Sequence, residues 1–243
     1  MENATRDVRE GAGGVRVAGL TRDYGSLRAL DHVDLDLPAG HVVGLLGENG
    51  SGKTTLLKIL AGVLADWTGA ATVCGHRPGP ESKAMVSFLP DASFLPDDCR
   101  PDQAIALYAR FFADFDADRA RALIAGFGLP GGRRLKELSK GMREKLQIAL
   151  AMSRRARVYL LDEPISGVDP AARDVLLRAV LENFDPDALM VVSTHLIADI
   201  EPVIDTAVFL RGGRVLLQGD ADDLRAQYGM TIDALFRKEY ASC

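Results

Sequence analysis

The stretch from residue 41 to residue 62, HVVGLLGENGSGKTTLLKILAG, constrains this chain more than any other: an apolar run enters a glycine-rich turn and leaves it as a helical pattern. Gly47, Gly52, Lys53 and Thr54 stand at G-x-x-x-x-G-K-[ST] spacing, with Asn49, Gly50, Ser51 and Thr55 completing the turn. Glycines at such a turn let successive backbone N–H groups face inward around an anion with no side chain blocking the approach. Lys53 can bring a point charge to the outer phosphates of a nucleotide, and Thr54 can offer a hydroxyl to Mg²⁺. The helix that follows puts Leu56, Ile59, Leu60, Val63 and Leu64 on one face, so its N-terminal dipole is expected to be held against the phosphates. The stretch reads as strand, phosphate loop and helix, and therefore as a nucleotide site.

A chain of 243 residues, 47% hydrophobic and 26% charged with net charge −5, has enough apolar material for one or at most two domains with a real core. A slightly acidic chain has no electrostatic reason to seek nucleic acid, and no nucleic acid partner is expected. Two local basic groups, Arg133, Arg134, Lys136 and Arg154, Arg155, Arg157, read as solvated helix ends. Cys74, Cys99 and Cys243 are odd in number and form no C-x-x-C pair, which points to a reducing compartment, the cytoplasm. No apolar run approaches the length needed to cross a bilayer, and MENATRDVREGAGG has no signal-peptide core. The expected organisation is a flexible tail at 1–13 and one domain over 14–243.

Along the chain, 15–20 and 30–37 read as strands, the second because Val33, Leu35 and Leu37 alternate with His32, Asp34 and Asp36. Tyr24 lies between them, where it can stack on a nucleotide base or stand as a surface aromatic without a ligand. ATVCG is a further short strand, and SKAMVSFLPD carries another into a turn at Pro90 and Asp91. From Pro101 to Ser153 the pattern turns helical, with Ile105, Tyr108, Phe112 and Phe115 on one face and then Ala120, Leu123, Ile124 and Phe127. An inserted helical lobe is expected over about 92–153.

RVYLLD is an apolar strand ending in Asp162 and Glu163 before Pro164. Buried parallel strands deliver their functional groups at the carboxyl end, so Asp162 could hold Mg²⁺ through its water shell and Glu163 could polarise a water toward the γ-phosphate. Two acids at a strand end also describe an ordinary turn. Asp169-Pro170 reads as an N-cap with proline at the first helical position, followed by a stripe of Val175, Leu176, Val180, Leu181 and Phe184. ALMVVSTH is another buried strand, with His195 at its end. A lone histidine is usually structural, but its place at the same sheet edge as the acids favours a γ-phosphate contact. VFLRGGRVLLQG reads as a hairpin, and ADDLRAQYG and TIDALFRKEY as amphipathic helices, the second with Ile232, Leu235, Phe236 and Tyr240 apolar.

LSKGM at 138–142 is a Ser-x-Gly turn opening a helix about twenty residues ahead of the acidic strand, a feature that phosphate-loop NTPases in general lack. With Tyr24, the phosphate loop, Asp162-Glu163, Ser166 to Asp169 and His195 in this order, the chain resembles an ABC transporter ATP-binding subunit over nearly its full length. The resemblance implies an α/β fold: a RecA-like P-loop NTPase core with an N-terminal antiparallel β-subdomain and an inserted α-helical subdomain. It also implies ATP hydrolysis with Mg²⁺ and a transmembrane permease as partner. A second nucleotide-binding subunit would pack head to tail, with Ser139 and Gly141 meeting the γ-phosphate held by the other subunit's loop and Asp169 near the shared site. The location implied is cytoplasmic, peripheral on the inner face of the cell membrane.

Two positions depart from the family pattern. LSKGM replaces the usual LSGGQ, keeping the serine and second glycine. Asp91 stands where the family has glutamine, so this carboxylate either joins the metal shell or caps the turn after Pro90. An exporter subunit is the expected role, with a soluble ABC ATPase acting on nucleic acid or ribosomes as the alternative; a second cassette or a long coiled-coil insert, usual in the latter, is not present. A nucleotide-gated regulator without turnover would lack a water-activating acid, and Glu163 supplies one.

Overall fold

The structure is a computed structural model that describes residues 13–241, so the expected tail lies, apart from Gly13, outside the described residues, as does Cys243. In chain order the elements are β1 (Val15–Tyr24), β2 (Leu27–Leu37), β3 (Val42–Leu46), α1 (Lys53–Leu60), β4 (Thr68–Val73), α2 (Pro80–Lys83), β5 (Val86–Leu89), α3 (Pro101–Phe111), α4 (Ala117–Gly126) and α5 (Lys140–Met152). They continue with β6 (Val158–Asp162), α6 (Pro170–Glu182), β7 (Leu189–Thr194), α7 (Ile197–Ile200), β8 (Thr206–Arg211), β9 (Arg214–Asp220), α8 (Ala221–Tyr228) and α9 (Ile232–Ala241).

The apolar runs become one six-stranded sheet in the order β5-β6-β7-β3-β8-β9, parallel except for β9 at the edge. Every residue of β3, β6 and β7 is buried, as expected of parallel strands covered on both faces. A three-stranded antiparallel sheet, β2-β1-β4, packs against the same core through α1, whose Leu56, Leu57, Ile59 and Leu60 are buried with Val33, Leu35 and Leu37 of β2. On the other face of the parallel sheet, α6 and α9 bury Leu176, Val180, Ile232 and Leu235 against β6, β7 and β8. The helices α3, α4 and the outer turns of α5 make a third apolar cluster of their own, around Ile105, Tyr108, Ile124 and Leu146. This is the mixed α/β architecture the resemblance implies.

Three expectations are corrected. Val63 is 60% exposed instead of lying on the buried stripe, because α1 stops at Leu60. Gly62 takes a left-handed φ of 69°, the Val63 N–H returns to the Lys58 carbonyl at 2.9 Å, and the Gly62 N–H bonds to Ile59. That is the paired closure of a glycine C-terminal stop, and it swings the next side chain outward. Val175 is 62% exposed; Leu177 takes its place in the α6 stripe beside Leu176, Val180 and Leu181. Arg154 is not at a solvated helix end: it is 2% exposed, donates to the carbonyls of Val86 (2.7 Å) and Ala84 (2.8 Å), and grips the Asp114 carboxylate with Nε at 2.9 Å.

The Gly212-Gly213 turn between β8 and β9 has φ of 54° and 78°, the two positive values that a tight hairpin turn matched to strand twist requires. It does more than reverse the chain. The Gly213 N–H donates to the Ser51 carbonyl of the phosphate loop (3.0 Å), and the Asp31 N–H of β2 donates to the Gly213 carbonyl (2.9 Å). The Asp31 carboxylate then takes Arg214 Nε at 2.7 Å and His32 Nδ1 at 2.7 Å. These partners, His32 and Arg214 foremost, hold its pKa down to about 2. The antiparallel sheet, the hairpin and the phosphate loop are thereby joined.

Candidate active site

β3 runs straight into the phosphate loop, and the Lys53 that opens α1 is itself buried. The loop has no room for a side chain at Gly47 or Gly52. A Cβ at Gly47 would collide with the Leu210 carbonyl and Ser51 Oγ, and one at Gly52, where φ is 109°, would collide with the Ala29 carbonyl. This is the steric reason the spacing demands glycine. Lys53 Nζ donates to the carbonyls of Gly47 (2.6 Å) and Glu48 (3.1 Å) and lies 3.6 Å from Glu163 Oε1. Burial lowers the Lys53 pKa, and the charges of Glu163 and Asp162 oppose that shift.

The loop opens into a cleft of about 270 Å³ lined by Tyr24, Asn49, Gly50, Ser51, Gly52, Lys53, Thr54, Thr55, Asp91 and Glu163, close to the size of small-ligand sites in general. All ten are residues to which the sequence motifs point. Tyr24 stands at the end of β1 with the Arg22 guanidinium 4.5 Å from its ring centroid, so one partner already stacks on it. Leu27, Arg28 and Ala29 of β2 also line the cleft and were missed, since nothing in RDYGSLRAL except the aromatic marks a ligand.

At the ends of β6 and β7, parallel pairing sets Asp162 beside Ser193. Ser193 Oγ donates to Asp162 Oδ1 at 2.5 Å and accepts the Glu163 N–H at 3.2 Å. Burial pushes the Asp162 carboxyl above the ordinary carboxylate range, against the Ser193 and Thr54 hydroxyls and with the charge of Asp91 adding to the rise. Glu163 has a φ of 48°, a left-handed conformation that costs a side-chain-bearing residue about 1–3 kcal/mol and is found where surrounding structure enforces it. Here Ser193 enforces it, taking the Glu163 N–H on its carbonyl at 3.0 Å as well. Glu163 Oε2 meets His195 Nδ1 at 3.0 Å and the Thr194 hydroxyl at 3.3 Å. Ser193 could have been found in the sequence as the first polar residue in an otherwise apolar strand, two positions before His195.

The remaining expected residues lie outside this cleft. Ser139 is the N-cap of α5, its Oγ accepting the Met142 N–H at 3.3 Å; Gly141 sits in the first turn of α5; Asp169 caps α6 through the Ala171 N–H at 3.0 Å. Asp91 is exposed and lines the cleft.

The arrangement suits a nucleoside triphosphate with Mg²⁺. Ser51 Oγ, Asp162 Oδ2 and Glu163 Oε1 are buried and have no hydrogen-bond partner, three oxygens in reach of the loop that await one. The Thr54 hydroxyl reaches the Asp162 carboxylate, and Asp91 lines the same cleft as Thr54, oxygen donors of the kind Mg²⁺ takes. Magnesium in phosphate sites is held in this sparse way, by one or two side chains plus phosphate and water.

A glycine-rich loop between a buried strand and a helix, facing two carboxylates at a neighbouring strand end, defines a phosphate-loop nucleotide hydrolase. Comparison with known proteins narrows the class. The ABC transporter family profile matches residues 30–166. The chain is 31% identical to the daunorubicin resistance ATP-binding protein DrrA3 of Streptomyces coeruleorubidus, over 92% of this chain and 74% of that protein. It is 35% identical to the phosphonates import ATP-binding protein PhnC 1 of Natronomonas pharaonis, over 87% of this chain and 98% of that one. A solved ATP-binding subunit of an ABC transporter superposes with a TM-score of 0.83 at 30% identity, covering 93% of this chain and 98% of that chain. The chain belongs to the ABC transporter family, as one of its ATP-binding, ATP-hydrolysing subunits.

Proposed function

We propose that this chain powers a separate membrane permease from the cytoplasmic face of the membrane, as one of two subunits that close head to tail around two ATP, and that it serves export. The observation that carries the reading is the convergence of Lys53, Asp162, Glu163 and His195 at the mouth of the phosphate loop, with Glu163 between Lys53 (3.6 Å) and His195 (3.0 Å). In this arrangement Lys53 and the loop N–H groups hold the phosphates. The Glu163 carboxylate orients and polarises the attacking water, and His195 fixes that carboxylate while facing the γ-phosphate. Mg²⁺, when bound by Thr54, Asp162 and Asp91, supplies charge neutralisation on the phosphates. Ser139, Gly141 and Asp169, outside the cleft of their own subunit, are assigned to the site of the second subunit. Tyr24 is assigned to the base.

Among the described residues no helix is long and apolar enough to cross a membrane. Phe111 is 69% exposed while its neighbour Phe112 packs inward against Tyr108, and Phe94 is exposed nearby. These two outward aromatics are the proposed contact with the permease. Phe94→Ala with Phe111→Ala should uncouple transport from hydrolysis in the reconstituted complex and leave the ATPase rate of the isolated subunit within about twofold, since exposed positions carry little folding energy. Unchanged transport would remove the lobe from this role. The resistance-linked relative supports export and the phosphonate relative supports import. ATP-driven daunorubicin accumulation in inverted vesicles, against phosphonate uptake by intact cells, separates the two.

The charge of Asp91 gives a second test. Beside ATP an unneutralised carboxylate repels the phosphates, and a divalent ion between them reverses the sign. ATP affinity is therefore expected to rise more steeply with Mg²⁺ in the wild type than in Asp91→Gln or Asp91→Ala. Equal Mg²⁺ dependence and equal turnover in all three would exclude Asp91 from the metal shell.

A further inference from the structure

The tip of the β1–β2 hairpin brings two apolar side chains to the nucleotide cleft. Tyr24 and Leu27 are cross-strand partners on either side of the turn at Gly25, where φ is 60°. Both are exposed, and both line the cleft together with Gly50, Ser51, Gly52 and Lys53 of the phosphate loop. Two residues before Tyr24 stands Arg22, whose guanidinium carbon lies over the tyrosine ring, 4.5 Å from its centroid. A cation at that distance is attracted by the negative face of the ring. With one face taken by Arg22, a base can stack only on the other.

Arg22 is not a solvated surface cation. Only 12% of its side chain is exposed, and Nη1 donates to the Asp66 carbonyl and pairs with the Asp66 carboxylate. Asp66 lies in the loop between α1 and β4, so the pair ties the end of β1, with its tyrosine, to the segment that leaves the phosphate-loop helix. The Arg22 Nε is buried with no hydrogen-bond partner. Buried side-chain nitrogens are in the large majority paired, so this guanidinium is oriented by Asp66 and by the ring instead of by the satisfaction of all its donors. A fixed cation against one face of an aromatic has two effects. It holds the ring at one tilt before any ligand arrives, which removes an ordering cost from binding. It also draws electron density toward itself, and the opposite face becomes a better partner for an electron-rich purine.

We propose that Arg22, held by Asp66, is a positioning residue for the nucleotide base: it preorganises Tyr24 and polarises its ring, so that this subunit prefers the purine of ATP to a pyrimidine. This rests on the assignment of Tyr24 to the base proposed above. Arg22 acts through the ring and is not among the residues that line the cleft. The charge that develops during hydrolysis lies on the phosphates, at the other end of the nucleotide from the base. The contribution of Arg22 is therefore alike in the ground state and the transition state, and it is expected in KM and not in kcat.

The test compares ATP, CTP and inorganic tripolyphosphate, which has no base, each with Mg²⁺ on the full chain. Arg22→Met should raise the KM for ATP about fivefold, within the span of one cation–π contact, and leave kcat within about twofold of wild type. The KM for CTP should rise less, and inhibition by tripolyphosphate should not change, a split that a general loss of folding would not give. Arg22→Lys keeps the charge without the planar fork and should fall between Arg22→Met and wild type. Tyr24→Ala should weaken ATP binding at least as much as Arg22→Met, and the double variant should be no weaker than Tyr24→Ala, because residues that act through one contact are not additive. Asp66→Ala, at an exposed position, should raise the ATP KM by a smaller factor. If Arg22→Met does not fold, an unchanged ATP KM in Asp66→Ala overturns the proposal in its place. An unchanged ATP KM in Arg22→Met beside weakened binding in Tyr24→Ala overturns the role of Arg22 alone, as do additive losses in the double variant or an equal loss of tripolyphosphate binding. Wild-type ATP affinity in Tyr24→Ala overturns the assignment of Tyr24 to the base and the role of Arg22 with it.

Discussion

Glu163→Gln is expected to lower ATP turnover by about 10²–10⁴-fold, the range a positioned acid or base contributes, while ATP binding persists. The amide keeps the shape of the carboxylate and can still accept from the Thr194 hydroxyl, 3.3 Å from Glu163 Oε2, so the backbone held by Ser193 need not move. It cannot take a proton from water. In the wild type Glu163 Oε1 faces Lys53 Nζ at 3.6 Å, at the mouth of the phosphate loop where the attacking water would stand. With binding intact and hydrolysis stopped, the pair of subunits should accumulate in the closed, ATP-bound form, because ligand that favours one state holds it until the ligand is consumed. Lys53→Ala is the contrast: it removes the charge inside the loop and should abolish nucleotide binding, so neither turnover nor pairing is seen. Single-turnover hydrolysis of labelled ATP with size-exclusion in parallel distinguishes the variants. A wild-type rate in the glutamine variant would take Glu163 out of the water-activating role.

Much of the site was legible because its spacing is local. The phosphate loop, the acids at the end of an apolar run and Asp169 before a proline each lie within a few residues, and the chain's order then carries the resemblance. What escaped was set by contacts between distant segments. Ser193 matters only because β7 runs in register beside β6, which places it against Asp162. Arg28 and Ala29 reach the cleft because β2 is tied to the hairpin glycines on the far side of the chain. Val63 followed the helical period correctly, but the period ended at Gly62, where a left-handed residue closed the helix one turn early. Arg154 misled for the opposite reason. Three arginines within four residues look solvated, and only the fold shows that one of them turns inward.

That inward arginine yields the largest stability prediction. Arg154 follows α5 and joins three segments: its Nη1 donates to the Val86 carbonyl (2.7 Å), its Nη2 to the Ala84 carbonyl (2.8 Å), and Nε and Nη2 together hold Asp114 at 2.9 and 3.0 Å. Phe112 of the helical lobe covers the guanidinium, 3.9 Å from ring centroid to Cζ. Asp114→Ala would leave this buried cation without its carboxylate, and breaking such a pair by removing one member costs about 3–5 kcal/mol. Asp114 is itself a quarter exposed and Arg154 keeps its two carbonyls, so the lower end, about 3 kcal/mol, is expected. For a chain of this length that lowers Tm by about 6–12 °C. Arg154→Met should cost at least as much as Asp114→Ala, because it leaves both the Asp114 carboxylate and the Val86 and Ala84 carbonyls without their donor. Because Asp114 and Phe112 belong to the lobe that carries Phe94 and Phe111, the Asp114→Ala protein should also transport less per ATP hydrolysed at temperatures where it remains folded. Melting curves for the two variants decide the matter: an Asp114→Ala protein as stable as wild type would show that the lobe is held to the sheet by apolar packing alone.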